Sequence, residues 1–92
     1  MGDAGPPGGL NGVLDSADEA IRAATPAAAA ISAKRPTVTS ATRHPTCGDM
    51  TLCGTFRGPV WIVRFTVYDR RGAERRAWVT LDSAGNLIKV DQ

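Results

Sequence analysis

What this chain has little of already narrows its identity. One histidine and two cysteines exclude a multi-finger zinc protein. No apolar run approaches the roughly 18 residues of a membrane-spanning helix. No C-x-x-C redox motif and no internal repeat occur. At 92 residues there is no room for a large enzyme with a cofactor-binding domain. The length suits one small domain with a thin margin of stability. Against these shortages, 42% hydrophobic residues argue against wholesale disorder.

The formal charge of +2 hides an uneven distribution. Residues 1–33 carry Asp3, Asp15, Asp18 and Glu19 against Arg22 alone, a balance of −3. The rest of the chain is arginine-rich, with a balance of +5. That density is far below a strong nucleic-acid binder, and a solvated surface is its plainer meaning. The opening stretch 1–9 has neither a basic region nor an apolar region, so it does not read as a secretory leader. Any leader is expected upstream of it. Gly2 lacks the Ser or Thr that myristoylation requires four residues on. Residues 1–12 are rich in glycine and proline and are expected to form a flexible tail, with a single domain over 13–92.

The domain opens on Ser16-Ala17-Asp18-Glu19, the spacing of a capping box. Ala17, Ala20, Ile21, Ala24, Ala28 and Ile31 follow at helical spacing. Thr25-Pro26 interrupts that stripe. Either two short helices form, roughly 16–24 and 26–33, or one helix kinks at Pro26. Lys34, Arg35 and Pro36 suit its end.

Beyond Pro36 the period changes from helical to strand-like. Thr37 to Arg43 is β-branched with weak alternation, which predicts an edge strand. Residues 45–58 hold both cysteines and read as a loop. Val60 to Tyr68 places Trp61, Val63, Phe65 and Val67 on one face. Asp69-Arg70-Arg71-Gly72-Ala73 fits a three-residue hairpin loop. Its register sets Phe65 against Ala77, Val63 against Val79, Trp61 against Leu81 and Arg64 against Trp78. Around the turn 83–86 two registers compete. A two-residue loop pairs Leu81 with Ile88 and Val79 with Val90, and burial slightly favours it. A three-residue loop pairs Leu81 with Leu87. Residues 87–91 form the last strand in both. The expected fold is α+β: an N-terminal helical segment on a four-stranded antiparallel meander.

Three groups of residues carry the functional candidates. Cys47 and Cys53 enclose five residues, and a disulfide there would stabilise by about 2–3 kcal/mol. Two free thiols, or a metal site with His44 and Asp49, are the alternatives, and the spacing matches no common zinc motif. Arg70, Arg71, Arg75 and Arg76 cluster around the first hairpin. They suit an acidic protein or a phosphate backbone, or are simply solvated. The shortage of interleaved aromatics argues against nucleic acid. Arg64 over Trp78 would be a cation–π contact and an interface anchor, or a cover for the outer sheet face. His44 and the turn residues Asp69 and Asp82 have plain structural roles, and no polar constellation points to catalysis or a cofactor.

The order of Ser16-Ala17-Asp18-Glu19-Ala20, Gly58-Pro59-Val60-Trp61-Ile62-Val63 and Val79-Thr80-Leu81-Asp82-Ser83-Ala84-Gly85-Asn86-Leu87 resembles the PepSY family. The resemblance covers roughly residues 15–91, best over 58–90. It implies a cystatin-like helix against an antiparallel sheet, mainly in the bacterial envelope or secreted, and regulation or inhibition of peptidases. It brings no catalytic residues. The chain departs from the family pattern at Thr25-Pro26 and in the cysteine-bearing insert. The functional expectation is a secreted or periplasmic protein-binding module that acts by surface occlusion. A structural cell-envelope component tethered by its N-terminal tail is the alternative, followed by an anion- or nucleic-acid-binding domain using the arginine hairpin.

Overall fold

The computed structural model describes residues 14–92, so the expected tail at 1–12 lies outside the described residues. Within them, one helix, α1 (Ala17–Ala30), precedes four strands, with a single helical turn, α2 (Met50–Cys53), between the first two. The strands are β1 (Thr37–His44), β2 (Val60–Tyr68), β3 (Glu74–Asp82) and β4 (Leu87–Asp91). They form one antiparallel sheet in the order β1-β2-β3-β4, an open meander. The architecture is α+β, as the change from helical to strand periodicity predicts.

Ser16 caps α1 by accepting from the Glu19 amide at 3.3 Å. Glu19 reaches one residue further back than a capping box requires, to the Asp15 amide at 2.8 Å. The first contact satisfies an amide that the first turn would otherwise leave unpaired, and the second ties the residue before the cap to the helix. The helix then runs through Pro26 without a break, so the two-helix alternative is wrong. Its cause is tertiary. Ala20, Ala24 and Ala28 are all fully buried, and splitting the helix would remove the last of them from the sheet. Pro26 itself is exposed, and the Thr25 hydroxyl donates to the Ile21 carbonyl at 2.6 Å. The local penalty remains, about 3 kcal/mol for an interior proline. Proline also stiffens the unfolded chain by about 0.4–1 kcal/mol, which offsets part of it. Pro26→Ala is therefore expected to raise stability by about 2 kcal/mol in a denaturant titration. A lowered midpoint would mean that proline's stiffening of the unfolded chain outweighs its helix penalty.

The helix stops at Ala30, short of the expected end near 33 and without a basic last turn. The following residues are taken by the sheet instead. Ala33 donates to the Tyr68 carbonyl at 2.7 Å, and the Tyr68 amide donates to the Ser32 hydroxyl at 3.0 Å. Backbone that a longer helix would have used thus closes the end of β2.

The β2–β3 register agrees with the sequence expectation at each apolar pair: Phe65 with Ala77, Val63 with Val79, Trp61 with Leu81. These residues and Val67 form the helix-facing core with Ala20, Ala24, Ala28 and Leu14. Leu14 escapes the helical pattern because it precedes the cap. It is held by its amide on the Ser83 carbonyl at 2.6 Å and by the Trp61 indole on its own carbonyl at 3.4 Å.

Both hairpin turns use one device. Asp69 Oδ1 accepts from the Arg71 and Ala73 amides, and Asp82 Oδ1 accepts from the Ala84 and Asn86 amides. Gly72 and Gly85 take positive φ of 83° and 90°, where a side chain would be strained. The second turn is therefore the three-residue form, and Leu81 pairs with Leu87. Yet Val79 pairs with Val90, as the two-residue form requires. A register shift in β4 after Leu87 reconciles them: Ile88 is the extra residue. β1 is shifted in the same way between Val38 and Ser40. Both edges of the sheet thus carry an irregularity that discourages edge-to-edge pairing.

Candidate functional site

The two faces of the sheet have different fates. α1 covers the face bearing Trp61, Val63, Phe65 and Val67. The opposite face bears Val60, Ile62, Arg64, Thr66 and Tyr68 on β2, and Asp82, Thr80, Trp78, Arg76 and Glu74 on β3. Only one end of this second face is covered. There the segment 45–58 folds back, and Cys47, Cys53 and Val60 form a second buried cluster with Leu52, Phe56 and Ile62.

That segment is more ordered than a simple loop. Asp49 caps α2, accepting from the Thr51 amide at 2.9 Å and the Leu52 amide at 3.4 Å. Arg57 donates to the Gly54 and Phe56 carbonyls at 2.8 and 3.2 Å. Cys47 and Cys53 are joined by a disulfide with their Cα atoms 6.4 Å apart. Both sulfurs are therefore committed to each other, and the alternatives of free thiols or thiolate ligands fall away. Among the described residues no group of His, Cys, Asp and Glu has metal-binding proximity.

Thr80 lies opposite Ile62 on the second face and is fully buried. Its hydroxyl has no hydrogen-bond partner. An unpaired buried hydroxyl costs about 1–3 kcal/mol, and an apolar group of the same shape avoids that cost. Thr80→Val is accordingly expected to raise the thermal midpoint, by about 1 kcal/mol of stability. A lower midpoint would reveal a hydration or bonding role for that hydroxyl.

The other end of the second face is uncovered. Arg64 lies over the half-buried Trp78, its guanidinium carbon 5.8 Å from a ring centroid. The Lys34 ammonium lies 4.4 Å from the Tyr68 ring centroid, and the Tyr68 hydroxyl lies 3.3 Å from that of Thr37. A groove of about 410 Å³ opens here, lined by Thr39, Ser40, Arg64, Phe65, Thr66, Glu74, Arg75 and Arg76. β1 shapes one wall. Its irregularity at Thr39 lets that hydroxyl donate to the Arg64 carbonyl at 3.1 Å, which sets Ser40 opposite Arg64.

Of the sequence candidates, Arg64, Arg76 and Trp78 share this uncovered face. Arg75 pairs with Val67, so it occupies a helix-side position although it contributes to the groove. Arg70 and Arg71 are exposed in the hairpin turn, away from Trp78. The cluster seen in sequence is thus divided between two faces and a tip. Sequence reasoning missed Ser40 and Thr39, because their convergence depends on the β1 irregularity, whereas Thr66 stands opposite Arg76 in the expected β2–β3 register. Arg64, Arg75 and Arg76 are exposed and share the groove with Glu74, while Asp69 is engaged by turn amides. Comparison with protein-family models, curated proteins and solved structures finds no match to this chain.

Proposed function

We propose that this chain is an extracytoplasmic protein-binding module that regulates a peptidase by covering part of its surface. One observation carries the reading. The fold closes its core with α1 on one face and leaves half of the opposite face uncovered, cationic and edged by Trp78. A domain this small has little apolar area to spare, so an uncovered face with exposed arginines is better explained by a partner than by stability. The disulfide suits an oxidising compartment, and no described helix is long and apolar enough to cross a membrane. The resemblance of residues 15–91 to PepSY domains supports the choice of a peptidase as partner.

The segment 45–58 and the hairpin 70–76 flank the uncovered face in this reading. The disulfide holds the first of them in one conformation, which lowers the ordering cost of association. The test is a cleavage assay with secreted endopeptidases and a protein substrate. Slowing in proportion to added chain, with the chain itself uncut, is the expected result. Digestion of the chain as an ordinary substrate, with no slowing, would exclude inhibition.

A further inference from the structure

We infer that the uncovered groove between β1, β2 and β3 is a carboxylate-binding site, and that the partner inserts an acidic peptide segment there. The inference rests on the protein-binding reading above and specifies the chemistry of the partner. Its basis is charge complementarity at a shaped site. Arg64 and Arg76 lie on the same sheet face, and Ser40 and Thr66 supply hydroxyls at the paired positions opposite them. These groups line a groove of about 410 Å³, large enough for one or two side chains and too small for a folded element. Guanidinium groups bind carboxylates through paired, charge-assisted hydrogen bonds, and neutral hydroxyls complete the set.

One feature separates an acidic peptide from a nucleic acid. Sequence-tolerant binding of single strands needs free aromatic faces on which bases stack. Here Arg64 lies over Trp78 and Lys34 lies over Tyr68, so a cation already occupies a face of each ring. Stacking a base would require displacing it. Glu74 lines the same groove as the arginines. Glu74 also makes the site self-limiting: it offsets one cation and weakens a bound anion.

The probes are a ten-residue peptide of alternating Glu and Gly, its Gln-for-Glu counterpart, and a ten-nucleotide oligo-dT. Each is titrated into isotope-labelled protein and followed by amide chemical shifts. The Glu peptide is expected to move Ser40, Arg64, Thr66 and Arg76, and to weaken as salt is raised. The double variant R64Q/R76Q should bind it about tenfold more weakly, and E74Q severalfold more tightly. R22Q, on the exposed side of α1, should bind as the parent does. Unchanged shifts away from the groove establish that each variant is folded. Equal binding of the Gln peptide, or no effect of R64Q/R76Q, would overturn the carboxylate site. If peptidase slowing persisted alongside either result, the protein-binding reading would stand and this inference alone would fall. Tighter binding of oligo-dT than of the Glu peptide would overturn both.

Discussion

Replacing Trp61 with alanine is expected to cost about 3–5 kcal/mol, the range for truncating a large buried aromatic. Trp61 is 7% exposed and belongs to the helix-facing core. It does two jobs. The ring fills the space where the start of β2 meets Leu81 on β3 and Arg43 on β1. Its indole N–H donates to the Leu14 carbonyl at 3.4 Å, which anchors the chain just before the helix cap. Truncation opens a cavity and also removes that anchor, so Leu14 loses one of its two backbone attachments. For a domain of this size each kcal/mol shifts the thermal midpoint by about 4–8 °C. The variant should therefore melt at least 12 °C lower by that scale. Trp61→Phe keeps most of the volume and loses the donor, and should retain more than half of the lost stability. A near-neutral Trp61→Ala would contradict the assignment of this face as the core.

The sheet was legible in the sequence because β2 reports its own faces. Its apolar–polar alternation is strict from Val63 to Val67, and Asp69-x-x-Gly72 fixes where the partner strand begins. Burial and turn chemistry then agree on one register, and the structure has it. The second hairpin shows what happens when they disagree. Turn chemistry determines the pair nearest the turn, Leu81 with Leu87, and burial determines the pair farther out, Val79 with Val90. The extra residue at Ile88 absorbs the difference, so each of the competing registers describes part of the strand.

Pro26 was misleading in the two-helix alternative for a different reason. Its cost is local and visible in sequence, whereas the gain from keeping Ala28 on the sheet is tertiary and invisible there. The candidate site was half legible for the same reason. Arg64 opposite Trp78 follows from the β2–β3 register alone. Ser40 does not, because β1 has weak alternation and its pairing shifts by one residue at Thr39. The groove therefore arises where an edge irregularity meets a regular hairpin.

Removing the Cys47–Cys53 bridge is expected to cost about 2–3 kcal/mol, the chain-entropy value for so short a closed loop. The bridge spans a sequence separation of 6 and both cysteines are buried. Its position decides what fails first. Cys47, Cys53 and Val60 make the second core, against which Leu52, Phe56 and Ile62 pack. Without the bridge, the cap at Asp49 and the Arg57 contacts must hold the 45–58 segment unaided. Exposed hydrogen bonds of that kind contribute about 1 kcal/mol each and do not replace a covalent closure. The segment should open before the helix-facing core does, and the Gly54 and Phe56 amides should lose protection with it. The C47A/C53A variant is therefore expected to melt about 8–24 °C lower and to exchange the Gly54 and Phe56 amides, bonded within the segment, faster than the Val63 and Val79 amides. Reducing agent should lower the melting temperature of the parent protein and leave C47A/C53A unaffected. An unchanged melting temperature on reduction would mean that the second core closes over the sheet without its covalent link. Equal loss of protection in the 45–58 segment and in the sheet would mean that the two cores unfold as one unit. The predicted order of opening follows from geometry, because the bridge ties the covered end of the second face and touches nothing beneath α1.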